Sequence, residues 1–213
     1  DLVRANTFMP LPAAPPGLEL REVVRLTEHG IRFIAHASGD GIYVLGGTGN
    51  FWLLDPKTAA LRQVLWGKNY LLKKGENTST WGTCLDSQNR LYIVANRRDE
   101  SGATVTNEVT IYRTTSVEDE IPSEPKPWFQ ASYPWGVGPF NHCVNHCAIG
   151  PDGYLYVNSG SRTDGNEPGQ DPRFSKDGEH PLTACIWRLD PKKEKPELEI
   201  YARGLRNSFG FCW

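Results

Sequence analysis

The sequence contains little that predicts helices. No window of about eleven residues carries apolar residues at the i, i+3, i+4 and i+7 positions of an amphipathic helix. No apolar run reaches the ~18 residues that a membrane-spanning helix needs. No signal-peptide pattern is visible either. We therefore expect neither long packed helices nor a membrane span.

Excess charge of either sign is also missing. The formal net charge is −2, so no basic surface points to nucleic acid or to an anionic membrane as a partner. The 213 residues are 38% hydrophobic and 23% charged, as is usual for a globular chain with a packed core. This length fits one domain of ordinary size or a piece of a larger one.

Cysteines are few, and their spacing excludes two kinds of redox site. The five cysteines form no CxxC and no CxxCH, so thioredoxin-type chemistry and covalent haem attachment find no support. Five cysteines permit at most two internal disulfides and leave one thiol over. The spacing does not indicate which cysteines pair.

Glycine, proline and short β-rich runs are plentiful instead. Residues 1–17 are proline-rich and are predicted to form an extended lead-in, because proline fixes φ and donates no backbone hydrogen bond. The next stretch, LELREVVRL (18–26), is predicted to be the first strand.

The chain then repeats a pattern of turns and strands. Three segments place a turn before a short β-rich run: GDGIYVLGG, SQNRLYIVAN and GPDGYLYVNSG. A second run follows each of them: NFWLLDPKT, EVTIYRTTS and ACIWRLDPKK. Third runs follow the first and last pairs: ALRQVLWG and PELEIYARG. Units of about 45–60 residues with several strands are typical of β-propeller blades.

We therefore predict an all-β protein, with residues 18–213 forming about three to four blades of a β-propeller. A β-sandwich is the alternative for a chain of many short strands and turns. Because so few blades do not close a ring, we expect the chain to be the N-terminal part of a longer domain. The remaining blades would come from the missing C-terminal part or from a partner chain.

The segment HCVNHC (142–147) concentrates histidine and cysteine. In a regular strand, residues 142, 144 and 146 share one face and residues 143, 145 and 147 share the other. His142 and His146 would then point away from Cys143 and Cys147, so one strand cannot offer all four side chains to one zinc ion. We predict that the two cysteines pack as small buried hydrophobic residues rather than bind metal.

Three segments resemble the family of soluble PQQ-dependent glucose/sorbosone dehydrogenases. They are PPGLELREVV, GPDGYLYVNSGSRTDG and YARGLRNSFGF, and they occur in the family's order. The resemblance implies the N-terminal half of a six-bladed propeller. It also implies an enzyme, located in the periplasm or outside the cell, that oxidises an aldose or related alcohol. In this family hydride passes to the C5 carbonyl of PQQ, and Ca²⁺ holds the cofactor.

The resemblance also implies roles for individual residues. The family's catalytic histidine, eight residues before the glycine of the Gly-Pro-Asp turn, corresponds to His142. Neutral imidazole suits the abstraction of a hydroxyl proton, because its unperturbed pKa is about 6.5. The family's Arg-Asn pair corresponds to Arg206, beside quinone and substrate, and to Asn207, which helps to seat the quinone. The calcium ligands are expected beyond residue 213.

Two further residues are candidate sugar contacts. The resemblance places Asn166, in the polar loop 159–180, near the substrate, and Asn77 is a similar candidate. Asp164 and Asp171 of that loop are alternative calcium ligands, although no EF-hand pattern surrounds them. Neither the substrate nor the electron acceptor after PQQ follows from the sequence.

Two other functions remain open. Cys143, Val144 and Ser208 depart from the family pattern beside the catalytic positions, which is compatible with a propeller that binds a protein or glycan without catalysis. A propeller hydrolase of the lactonase kind would use a metal held by carboxylates at inner strand ends, and no Asp or Glu is well placed for this. Lys and Arg residues that face the cleft in the missing C-terminal part would favour the dehydrogenase over these alternatives.

Overall fold

A computed structural model describes residues 11–26, 39–72, 77–137, 141–165 and 178–213, and the backbone of residues 31–36. Among these residues it contains fourteen strands and one helix of four residues. The prediction of an all-β protein is confirmed. Residues 1–10 of the predicted lead-in lie outside the described part, and residues 11–17 contain only a turn at Pro16 and Gly17.

The strands form three four-stranded antiparallel sheets and one small hairpin. The first sheet contains β1 (Ile31–His36), β2 (Ile42–Gly46), β3 (Phe51–Leu54) and β4 (Leu61–Leu65), and helix α1 (Gly67–Tyr70) follows it. The second contains β5 (Thr78–Leu85), β6 (Leu91–Asp99) and β7 (Thr106–Arg113); after the hairpin of β8 (Val117–Glu118) and β9 (Ile121–Pro122), it is completed by β10 (Lys126–Pro134). The third contains β11 (Val144–Ile149), β12 (Leu155–Ser159), β13 (Cys185–Leu189) and β14 (Glu199–Arg203).

The second sheet packs against the first and third sheets with its two faces. Leu91 and Ile93 of β6 belong to an apolar cluster with Tyr43 of the first sheet. The alternate residue Tyr92 belongs to a second cluster with Trp187 of the third sheet. Successive strand residues point to opposite faces, so the continuous apolar run LYIVA is buried on both sides.

Strands β5 and β11 hold the second and third sheets together at close range. A Cβ atom on Gly82 of β5 would lie 2.2 Å from the backbone oxygen of Asn145 in β11, a distance that only glycine permits. The Asn96 amide, opposite Ser79 in the ladder, donates to the Val144 oxygen at 2.6 Å and accepts from the Val144 nitrogen at 2.9 Å. Position 79 of β5 therefore lies near Val144 and position 82 lies against Asn145, so the two strands run in the same direction and their N-terminal ends lie at one edge.

All eight repeated β-rich runs named above contain a strand, which confirms that part of the sequence analysis. The prediction of a first strand at LELREVVRL is wrong, because the structure has no strand between residues 11 and 26. Leu18 and Leu20 are 68% and 46% exposed there. Val24 and Leu26 pack instead against the cluster around Trp52, so the segment contributes side chains to the core without joining a sheet.

Candidate functional site

His142 lies two residues before β11, at the edge where the N-terminal ends of β5 and β11 meet. Its backbone nitrogen donates to the Ser161 oxygen at 3.0 Å, which ties it to the segment after β12. The backbone turns at Cys143, whose φ is +59°. The side chain lies over Gly160, where a Cβ atom would come within 2.5 Å of the His142 Cβ atom. Gly160 therefore makes the position of the histidine possible.

Asp164 connects His142 with Arg206. Its Oδ1 atom lies 3.6 Å from His142 Nε2 and accepts a 3.0 Å hydrogen bond from Arg206 Nε. Arg206 Nη2 donates to the same oxygen. The three side chains are 18%, 38% and 56% exposed for His142, Asp164 and Arg206, so the group runs from a mostly buried imidazole to a guanidinium at the surface.

The backbone of the Arg206 segment is fixed by the third sheet. The Ser161 nitrogen donates to the Arg206 oxygen at 2.7 Å. The fully buried Asn158 amide donates to the Ser208 oxygen at 2.6 Å and to Asn145 Oδ1 at 2.8 Å. These bonds hold the residues on both sides of Asn207 to β12 and to the segment that follows it.

Several buried polar atoms around this group make no hydrogen bond to any described residue. They are His142 Nε2, Asn145 Nδ2, Asn158 Oδ1 and Asn207 Oδ1. Buried polar atoms are nearly always paired in folded proteins, so a concentration of donors and acceptors of this kind is typical of a site for water or a polar ligand. We take the surroundings of His142, Asp164 and Arg206 as the candidate site.

The structure brings together three of the residues singled out from the sequence. His142, Arg206 and Asn207 lie in the candidate site. Asn77 is exposed directly before β5, at the same edge of the molecule, in a left-handed backbone conformation with φ +48°. Asn166 lies outside the described residues, as does Asp171.

Asp164 is the site residue whose contact with Arg206 the sequence does not predict. The sequence suggests it as an alternative calcium ligand, and in the structure its carboxylate binds the Arg206 guanidinium. The sequence signal for this contact is a carboxylate in the loop directly after β12. The contact joins residues 42 positions apart, so spacing alone could not reveal it.

The alternation predicted for HCVNHC is wrong. The strand begins only at Val144, and the register with β12 shifts between Val144 and Cys147, so both of these side chains enter the core between the second and third sheets. The predicted burial of Cys143 and Cys147 is confirmed, at 8% and 1% exposure.

His146 packs edge-on against Phe211, with 4.8 Å between ring centroids. Burial lowers the pKa of His146, because the imidazolium form loses hydration. The described residues contain no group of three His, Cys, Asp or Glu side chains that could hold a metal ion.

Among the described residues, no helix is long and apolar enough to cross a membrane. A scan against models of known protein families finds no match for this chain, and a search of curated proteins finds no significant match.

Proposed function

We propose that this chain forms the substrate-facing part of a PQQ-dependent dehydrogenase that oxidises an aldose or related alcohol. The observation that carries the proposal is the contact of His142, Asp164 and Arg206. A base, a carboxylate beside it and a cationic fork lie within one group, as the oxidation of a hydroxyl group requires. The resemblance of three segments to soluble quinoprotein dehydrogenases supports the same reading.

The proposal includes a β-propeller. This architecture is supported by three successive sheets, each made of four antiparallel strands. The strands of each sheet are consecutive in the chain, except that the β8–β9 hairpin interrupts the second sheet. The second sheet packs face to face with both neighbours, as stacked blades do. In the propeller, the first strands β5 and β11 line the axis, and His142 lies at the mouth of the central cleft. Further blades from additional chain or from a partner would close the ring.

The donor set of the site fits PQQ in part. PQQ carries three carboxylates and an ortho-quinone, and an arginine fork binds such oxygens well. Arg206 Nη1 makes no hydrogen bond to a described residue and stays available for such an oxygen. Asn207 Oδ1 beside it is an unpaired acceptor, which suits a donor group of a ligand rather than these oxygens. The described residues contain no group of three His, Cys, Asp or Glu side chains for Ca²⁺, and none of them is assigned to the metal here.

The chain's own residues would act on the proton and on the orientation of the substrate. When bound, PQQ supplies the acceptor for the hydride that leaves the substrate carbon. His142 Nε2 takes the proton of the substrate hydroxyl. The Asp164 carboxylate, 3.6 Å away, stabilises the imidazolium that results. Arg206 holds the oxygens of cofactor and substrate in place.

Access to His142 requires a rearrangement at the surface. The Nε2 atom is buried behind the pair of Asp164 and Arg206. Because Arg206 is 56% exposed, the ion pair contributes only about 0–1 kcal/mol to stability. A substrate hydroxyl can therefore displace part of it at little cost, and the freed guanidinium becomes a donor to the ligand.

A binding and reduction experiment tests the proposal. The full-length protein is titrated with PQQ in the presence of Ca²⁺, and the absorbance of the bound quinone is followed while aldoses and simple alcohols are added. We expect PQQ to bind at micromolar concentrations and at least one aldose to reduce the bound quinone. In the native host we expect the protein in the periplasm or outside the cell. Failure to bind PQQ would refute the enzyme and leave a propeller that binds a protein or glycan in the same polar site.

A further inference from the structure

Cys84 and Cys147 occupy matching positions on neighbouring strands of two different sheets. Cys84 pairs with Tyr92 in the second sheet, and Cys147 pairs with Val157 in the third. The backbones of β5 and β11 touch at Gly82 and Asn145, two residues before each cysteine, and the two strands run in the same direction. The two cysteines therefore stand beside each other just beyond the point of closest approach.

Both side chains enter the same apolar cluster between the second and third sheets. Cys147 is 1% exposed, and Cys84 is partly buried at the edge of the cluster. The pKa of the Cys84 thiol is raised well above its ordinary value, first by its hydrogen bond with the Cys147 thiol and then by burial. The Cys147 thiol is the first cause of this shift, as expected for side chains at matching positions on two touching strands.

The remaining three cysteines occupy other places in the described structure. Burial raises the pKa of Cys185 to about 11, with no second thiol among the causes. Cys143 Sγ lies 3.5 Å from the backbone oxygen of Asn141, and Cys212 is exposed. Cys84 and Cys147 are thus the pair that the contact of β5 with β11 brings together.

We propose that Cys84 and Cys147 form a disulfide that links the second and third sheets when the protein folds under oxidising conditions. With glutathione disulfide as oxidant, one cysteine thiolate attacks it and releases the first glutathione. The second cysteine thiolate then attacks the mixed disulfide and releases the second glutathione. One protein S–S bond forms, one glutathione S–S bond breaks, and the two protons of the protein thiols end on the two glutathiones.

This bond would act on the candidate site through the strand that begins beside it. It restrains the unfolded chain over the whole segment between β5 and β11, which stabilises the folded state. It also fixes β11, whose first residue lies two positions after His142. The proposal requires neither PQQ nor catalysis, so its outcome is independent of the proposed function.

Oxidative refolding tests the disulfide. The denatured, reduced protein carries Cys212→Ser, which removes the exposed thiol that could link two molecules. It is refolded in a glutathione redox buffer, its thiols are then blocked and counted under denaturing conditions, and peptides are mapped without reduction. We expect two fewer free thiols than in the reduced protein, a peptide pair containing Cys84 and Cys147, and a Tm several degrees higher than after reduction.

Single substitutions provide the controls. Adding Cys84→Ala or Cys147→Ala should abolish the loss of thiols, while Cys185→Ala, in the same cluster, should leave it unchanged. The peptide map of the protein that retains both cysteines does not depend on whether these variants fold. A refolded protein that keeps all its thiols, or whose linked peptides contain another pair, would overturn the proposal.

Discussion

At the scale of single residues, Gly160 decides where the histidine of the candidate site can lie. A Cβ atom there would be 2.5 Å from the His142 Cβ atom and 3.2 Å from the Cys143 oxygen. The atom that must move is the His142 Cβ, which is attached directly to the backbone. A methyl group at position 160 therefore has to displace the histidine.

We expect Gly160→Ala to lower the free energy of unfolding by about 1–3 kcal/mol and to shift the NMR signals of the His142 ring. Gly210→Ala is the matched control, because a Cβ atom at Gly210 meets nothing within 4 Å. Urea unfolding and ¹H–¹⁵N spectra of the imidazoles measure the two effects. Equal stability of both variants would contradict the close approach.

His146 makes the free energy of unfolding depend on pH. Because burial lowers its pKa, the unfolded state binds a proton more readily than the folded state. Its contribution to stability is therefore complete above the unfolded pKa of about 6.5 and is lost as the pH falls through the lowered folded value. We expect the free energy of unfolding to decrease more between about pH 7.5 and pH 5 in the wild type than in His146→Phe, which keeps an aromatic ring against Phe211. Identical slopes in urea unfolding would show that His146 does not contribute.

At the scale of strands, the Asn96 side chain takes the place of a backbone ladder partner. It satisfies both the nitrogen and the oxygen of Val144 at the start of β11 and is itself held by Asn107 at 2.9 Å. Without it, two buried backbone groups of Val144 lose their partners. An unsatisfied buried group costs about 1–3 kcal/mol.

We therefore expect Asn96→Ala to lower the free energy of unfolding by about 2–6 kcal/mol, counting both orphaned groups. Hydrogen exchange of the Val144 amide should become faster than in the wild type. Exposed Asn69 provides the control, and Asn69→Ala should change stability by less than about 0.5 kcal/mol. An Asn96→Ala protein as stable as this control would contradict the role of the amide.

At the scale of the whole molecule, stability depends on contacts between sheets. The second sheet contributes to both large apolar clusters, and Gly82 sets its distance from the third sheet. A side chain at Gly82 meets backbone atoms, which cannot move aside without separating β5 from β11. We expect Gly82→Val to lower the Tm by more than Gly210→Ala does, in calorimetry of both variants. It should also reduce near-UV circular dichroism more than far-UV circular dichroism, since packing fails before the strands do.

Much of the fold follows from sequence, and most of the site's connections do not. Runs such as LYIVA and FWLL are short, apolar and bounded by turns, so local pattern predicts their strands correctly. The prediction of a strand at 18–26 is wrong, because a β-rich composition does not by itself provide a neighbouring strand to pair with. The sequence does not predict strand β5, because Thr, Ser and Gly interrupt its apolar pattern.

The candidate site shows the same division. His142 and Arg206 were identified through motifs, and the structure brings them to one place through Asp164. That contact depends on the path of the chain after β12 and on the bonds from Ser161 and Asn158 to the Arg206 segment. Such tertiary placement leaves no trace in residue spacing.

The most direct test of the account compares the wild type with His142→Gln in the full-length protein loaded with PQQ and Ca²⁺. Single-turnover reduction of the bound quinone by an aldose is followed by absorbance. If His142 takes the hydroxyl proton, the variant should bind PQQ with unchanged affinity and reduce it at least about 100-fold more slowly. Reduction at the wild-type rate would contradict the account, since a side chain that cannot take the proton would then suffice.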